Sequence, residues 1–164
     1  MASNKTGNRF PVWKKVQLGL STSHYAYLES LKGAGFVVSD PGETALGYLK
    51  LLHGVPALNL VKISLKDLGN EPGATCEQVS RSFEKNRLEL CPLEVGPALR
   101  QQYADQRFGE ILNVPMSAIP GFWADLRLWQ IGHDKEGKWL DARGVMNDKL
   151  NAWAHKRDWV LWQR

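Results

Sequence analysis

The chain has little cysteine: Cys76 and Cys91 are its two thiols among 164 residues. Small secreted domains held together by disulfides use a denser set of cysteines. At this length, a 43% content of hydrophobic residues supplies enough apolar area for one core without covalent staples. We therefore expect a reducing compartment and, with it, a cytoplasmic location.

Long apolar runs are also missing. A helix that crosses a bilayer needs about 20 predominantly apolar residues, and no segment of the sequence approaches that length. Residues 1–9 are polar and lack the apolar centre of a signal peptide. We expect neither export nor membrane contact, a disordered leader over 1–9, and a single domain over 10–164.

The common signatures of catalytic and cofactor sites are absent. There is no phosphate-binding loop, His-Glu-x-x-His helix, nucleophile elbow or Cys-x-x-Cys pair. Gly33 to Gly35 begins like a dinucleotide fingerprint, but it follows a predicted helix and lacks the third glycine. The sequence therefore predicts no cofactor and no metal. The four histidines are too dispersed to argue for a metal site: His24, His53, His133 and His155.

Tryptophan, in contrast, is abundant, with seven residues, five of which follow Asp125. Tryptophans on strands usually belong to the core, so we expect them to supply much of it. Cations lie between these tryptophans in the sequence, and in this respect the region resembles a stacking platform for single-stranded nucleic acid. With a net charge of +4, nucleic-acid binding is possible but not favoured. These cations are Arg127, Lys138, Arg143, Lys156 and Arg157.

Helical patterns dominate the first half. A first amphipathic helix is predicted from Thr22 to Gly33, and a third from a capping box at Thr75 and Gln78 to about Asn86. A short fourth helix should pass through Leu99 and Tyr103. The second helix of the chain is expected to be capped by Asp40, with Pro41 at its first position, and to end at His53 and Gly54. Its buried stripe would be Leu46, Leu49 and Leu52.

Strand patterns dominate the second half. Helices that come early and strands that come late favour an α+β fold, with three or four helices packed on a mainly antiparallel sheet formed largely by the C-terminal half. In the last strand, Trp159 and Leu161 face one side and Val160 and Trp162 the other, so both faces could be covered. The predicted strands are 13–18, 57–64, 110–116, 125–132, 138–142 and 158–163, with a short apolar step at 36–38 and a hairpin connection at 133–137.

Cys91 is the best single nucleophile candidate. It precedes Pro92 at a predicted helix start, where the helix dipole would stabilise a thiolate. A lone cysteine between Leu90 and Pro92 is more typical of a small buried hydrophobe, and no base accompanies it in the sequence. We favour the structural role.

A polar set surrounds the short fourth helix. Arg100 could form an internal ion pair with Glu94 or Asp105, which is the simpler interpretation. If the set converged on a cleft, it could instead bind a small polar ligand or perform acid-base chemistry. The members are Glu94, Arg100, Tyr103, Asp105 and Gln106, and with Cys91 they are the candidate ligand-binding residues.

The same segment resembles a family of small bacterial proteins to which no activity, substrate or cofactor is assigned. The motif that carries the resemblance runs from Glu89 to Gln106 and continues through Gly109 and Glu110, with fainter similarity at Val12 to Lys14 and at several later positions. The chain departs from the family pattern at Arg107 and Ile111, where the family has proline and tryptophan. The resemblance implies a bacterial origin and a shared fold, and nothing catalytic.

These observations favour a non-enzymatic binding or interaction module. It would use a cleft or an open sheet face beside Glu94 to Gln106 to hold a small molecule or a protein, and it could form a homodimer. One alternative is a small hydrolase or nuclease-like enzyme with acid-base residues in that segment. The other is a nucleic-acid-binding module.

Overall fold

Capping side chains set where the helices begin. In the computed structural model, which describes residues 9–117, 124–145, 150 and 152–164, Thr75 and Gln78 form the expected capping box. Ser23 accepts a hydrogen bond from the backbone N–H of Ala26 and starts the first helix in the same way. The helices of the described residues are α1 (His24–Gly33), α2 (Asp40–Leu46), α3 (Cys76–Lys85), α4 (Val95–Gln102) and α5 (Ala152–His155).

The second helix differs from its prediction at both ends. Ser39, and not Asp40, is the N-cap: its hydroxyl accepts a hydrogen bond from the N–H of Gly42 and also contacts the carboxylate of Asp141. The helix ends at Leu46, well before His53. Of the predicted buried stripe, Leu46 is fully buried, whereas Leu49 and Leu52 are half-buried and pack against the core from irregular chain.

The fold is α+β, and its sheet is mixed and mostly antiparallel. The strand order is β1-β3-β7-β4-β5-β6-β2, and among the strands described the pairs β4–β7 and β2–β6 are parallel. Of the seven strands described, four come from the second half. The short α5 was not predicted, because four residues are too few to show a helical period. The strands are β1 (Lys14–Val16), β2 (Val37–Val38), β3 (Leu58–Ile63), β4 (Ile111–Pro115), β5 (Leu126–Asp134), β6 (Gly137–Val145) and β7 (Asp158–Trp162).

Both faces of the sheet are covered, as the alternation in the last strand predicted. Val160 packs in one hydrophobic cluster with residues of α1, α2 and α4. Trp159 and Leu161 pack in a second cluster with residues of α3 and α5. The expectation that tryptophans supply the core is confirmed for Trp129 and Trp159, which are fully buried.

The hairpin prediction is confirmed as well, since β5 and β6 pair down to Asp134 and Gly137. Gly137 has a positive φ of 106°, which explains why glycine stands at this turn. Residues 1–8 of the predicted leader and Trp123 lie outside the described residues. Within the described chain, no helix has the length and apolar character needed to cross a membrane.

Candidate functional site

A polar cleft of about 420 Å³ lies at the C-terminal end of α4, and we call it the Tyr103 cleft. Tyr103 is the residue that ends α4. The cleft combines two aromatic rings, three cations and two carboxylates. They are Trp13 and Tyr103; Lys14, Lys62 and Arg107; and Asp105 and Glu110.

Sheet register places the two lysines on the same face. Lys14 of β1 pairs with Leu60 of β3, and Lys62 follows Leu60 by two residues. Because side chains alternate along a strand, Lys14, Leu60 and Lys62 point to the same side. This is the face that α4 covers, since Leu60 and Leu99 belong to the same hydrophobic cluster.

The two rings form an edge-to-face pair. The centroids of Trp13 and Tyr103 are 5.1 Å apart, and their planes meet at 87°. The Nζ atom of Lys14 lies 5.1 Å from the Tyr103 centroid, and that of Lys62 lies 5.1 Å from the Trp13 centroid. Such distances permit cation–π attraction, which holds the two ammonium groups at the cleft.

Tyr103 serves as a hydrogen-bond donor. Its hydroxyl donates to Glu110 Oε1 at 2.9 Å, while Lys62 Nζ lies 3.5 Å from Glu110 Oε2. Burial, followed by the hydrogen bond to Glu110 and the charge of that carboxylate, raises the pKa of Tyr103 to about 12. The phenol therefore stays protonated at neutral pH and does not act as a base.

The charges of the cleft are not fully compensated. Lys62 is paired with Glu110, but among the described residues no carboxylate lies within 4.0 Å of the cationic groups of Lys14 or Arg107. Arg107 and Asp105 are both exposed at the rim. The cleft thus offers two cations that a ligand can reach.

Glu94 lies elsewhere, fully buried at the start of α4. Its Oε1 accepts hydrogen bonds from the N–H of Gly19 at 2.6 Å and the hydroxyl of Tyr27 at 3.0 Å, and its Oε2 accepts one from the N–H of Leu52 at 2.8 Å. The carboxylate therefore joins α1 and two loops to α4. We do not include it in the candidate site.

Arg100 is fully buried too, and the predicted ion pair with Glu94 or Asp105 is not formed. Its guanidinium donates to the side chain of Gln106 and to the carbonyls of Tyr103 and Gly132. Burial lowers the pKa of Arg100 to about 10. The hydrogen-bond acceptors around this cation are therefore neutral. Gln106, which accepts from Arg100, in turn donates a hydrogen bond to the carbonyl of Ile131.

Cys91 occupies the structural position that we favoured. It is fully buried, forms a β-bridge with Met116, and its thiol donates to the carbonyl of Val160 at 3.7 Å. The helix begins only at Val95, so its dipole does not act directly on the sulfur. Burial raises the pKa of the Cys91 thiol, which opposes formation of a thiolate.

The structure therefore brings together two of the six candidate residues, Tyr103 and Asp105, with five that sequence reasoning missed. Four of these five residues come from three different strands or from the residue just before one. They are Trp13 and Lys14 at β1, Lys62 in β3 and Glu110 before β4. Trp13, Lys14 and Glu110 are among the residues on which the predicted resemblance to a bacterial family rests.

Metal-ligating side chains do not gather in the described part of the chain: no three His, Cys, Asp or Glu residues are close enough to hold an ion together. Comparisons with models of protein families, with curated proteins and with solved structures find no match to this chain. The resemblance to the bacterial family therefore stays a prediction.

Proposed function

We propose that this protein is a binding module that takes a small anionic ligand, bearing a carboxylate or a phosphate, into the Tyr103 cleft. One observation carries the proposal. Lys14 and Arg107 stand at the cleft without a carboxylate partner among the described residues. A ligand anion would give these cations charge-assisted hydrogen bonds.

The volume of the cleft fits a small molecule. A volume of about 420 Å³ lies within the usual range of ligand sites, about 300–1,000 Å³. The edge-to-face pair of Trp13 and Tyr103 borders the cleft, whose exposed lining is mainly polar, while Glu110 is already engaged by Tyr103 and Lys62. The groups that remain for a ligand are mainly cationic.

The hydrolase alternative has less support. An acid-base mechanism needs a group whose pKa lies near the working pH, whereas the phenol of Tyr103 is held protonated by its raised pKa. Glu94 accepts three hydrogen bonds in a buried position. Binding without chemistry is the simpler use of this arrangement.

Isothermal titration calorimetry at low ionic strength tests the proposal, with phosphate, succinate, citrate and adenosine monophosphate as probes. We expect at least one probe to bind with a Kd below about 1 mM. Lys14→Gln and Arg107→Gln should each weaken that binding by about three- to tenfold, which corresponds to the loss of one partly exposed charge contact.

Arg81→Gln is the matched control, because it removes the same charge from an exposed residue that is paired with Glu77 on α3. It should leave the affinity unchanged. The proposal is wrong if no probe binds, or if Arg81→Gln weakens binding as much as the two cleft variants do.

A further inference from the structure

The tryptophans of the second half differ sharply in what surrounds them. Trp129 and Trp159 are buried in the core. Trp153 is half-buried, and two guanidinium groups lie against its ring: Arg143 Cζ is 5.5 Å and Arg157 Cζ is 4.9 Å from the centroid. Two of the five cations noticed in the sequence, Arg143 and Arg157, thus lie at this one ring.

The charges of Arg143 and Arg157 are uncompensated within the described residues. No carboxylate lies within 4.0 Å of either guanidinium, although Asp158 follows Arg157 in sequence. Arg164 gives a useful contrast: it also lies over a tryptophan, Trp162, at 4.7 Å, but it is paired with Glu89 at 3.0 Å. Two neighbouring cations without a counter-charge favour binding of an anion.

The neighbouring charge of Arg143 also affects Arg157 itself. Burial, and next the neighbouring charge of Arg143, lower the pKa of Arg157. A cleft of about 350 Å³ beside Arg157 is lined by Trp153, Arg157 and the exposed Lys156, together with two carboxylates, Glu110 and Asp158. An anionic group at this surface would meet Lys156 and Arg157 in the cleft and Arg143 over the ring of Trp153, while Glu110 is already engaged by Tyr103 and Lys62.

We propose that these four residues, Arg143, Trp153, Lys156 and Arg157, form a binding site for single-stranded nucleic acid, which we call the Trp153 surface. Each nucleotide carries a phosphate for a guanidinium and a flat base for the indole. An acidic peptide supplies the charge without a ring at every residue, so it matches the site less well. The site shares none of its four residues with the Tyr103 cleft, and the inference is independent of the proposed function.

Fluorescence anisotropy with a labelled oligothymidylate of about 12 nucleotides tests this site, since one such length covers a typical single-strand site. We expect micromolar binding at low salt, and weaker binding as salt rises, because phosphate contacts release counterions. The double variant Arg143→Gln/Arg157→Gln should weaken binding at least about tenfold and flatten the salt dependence. Trp153→Leu should weaken binding about five- to tenfold, while Trp153→Phe, which keeps an aromatic ring, should retain most of it.

The matched control is Arg81→Gln/Arg164→Gln, which removes the same two charges from exposed, carboxylate-paired arginines. Circular dichroism of each variant checks that it folds. The inference is overturned if the oligonucleotide does not bind at low salt, or if the control double variant loses as much affinity as the test variant. It is also overturned if polyglutamate competes as well as unlabelled oligothymidylate, since a general polyanion site or an acidic-protein site would then explain the binding.

Discussion

At the scale of single residues, α4 carries two charges that are buried without an ion pair among the described residues. Glu94 is satisfied by two backbone N–H groups and the hydroxyl of Tyr27. The two terminal nitrogens of Arg100 donate to an amide oxygen and to backbone carbonyls, while its buried Nε has no hydrogen-bond partner among the described residues. Since a buried charge left without partners costs several kcal/mol, about 3 to 5 when one partner of a pair is removed, each of these hydrogen bonds matters to folding.

The first prediction concerns Glu94→Gln. The amide has one oxygen, so its NH₂ group must face either the N–H of Leu52 or the donors at Gly19 and Tyr27. We expect the free energy of unfolding to fall by about 2 kcal/mol or more, because at least one buried donor loses its acceptor. Urea denaturation of the variant measures this loss. Glu29→Gln, at an exposed position of α1, is the control and should change little; equal midpoints for Glu94→Gln and wild type would contradict the prediction.

The second prediction concerns Tyr103 and pH. Its pKa is about 12 in the folded protein and 10.0 as the reference value. Below about pH 10 both the folded and unfolded states keep the proton, so the full stabilisation is present; between about pH 10 and 12 the unfolded state releases it first, and stability falls as pH rises. Tyr103→Phe should remove this contribution to the loss of stability at alkaline pH.

Urea unfolding at two pH values, about 8 and about 11, measures the difference. Tyr103→Phe should lose less stability between them than the wild type does. Tyr25→Phe, at a residue that is 65% exposed, is the control and should follow the wild type. A Tyr103→Phe protein with the wild-type pH dependence would show that the phenol is not held protonated by its surroundings.

At the scale of elements, α4 approaches the sheet through a glycine. A Cβ atom on Gly96 would lie 2.4 Å from the ring of Trp129, which is fully buried on β5 and donates to the carbonyl of Leu93. Gly96 is the second residue of α4, where its missing side chain allows this close packing.

The third prediction follows from that contact. Gly96→Ala should lower the free energy of unfolding by about 1 to 3 kcal/mol, because a well-packed ring has little room to move. Gly33→Ala, in α1, is the control: no atom lies within 4 Å of the added Cβ, and alanine should stabilise the helix by up to about 1 kcal/mol. Thermal unfolding of both variants gives the comparison, and a Gly96→Ala protein as stable as Gly33→Ala would contradict the packing argument.

At the scale of the whole molecule, the strand order explains how the Tyr103 cleft is assembled. The last strand, β7, lies between β3 and β4, so residues far apart in sequence become neighbours across the sheet. Lys14 comes from β1, Lys62 from β3 and Glu110 from the residue before β4. The cleft therefore depends on the arrangement of the entire sheet and not on one motif.

The polar residues from Glu94 to Gln106, which the sequence offered as candidate ligand-binding residues, have two different roles in the structure. Tyr103 and Asp105 reach the cleft, but Glu94, Arg100 and Gln106 are buried and bound to the protein's own groups. Polar residue types give the same pattern in a sequence whether they bind a ligand or join helices to loops. The two roles can be distinguished only from the groups that each side chain contacts in the folded structure.

The sequence alone determined the class of fold, the C-terminal end of α1, both ends of α3, the β5–β6 hairpin and the two-sided burial of β7. These features depend on capping, turn chemistry and hydrophobic period, which act between residues close in the chain. The order of the strands, the end of α2 at Leu46 and the residues that meet at the Tyr103 cleft were decided by tertiary structure. Burial and charge pairing across the sheet act between distant residues, and a local pattern carries no information about which distant residues will be neighbours.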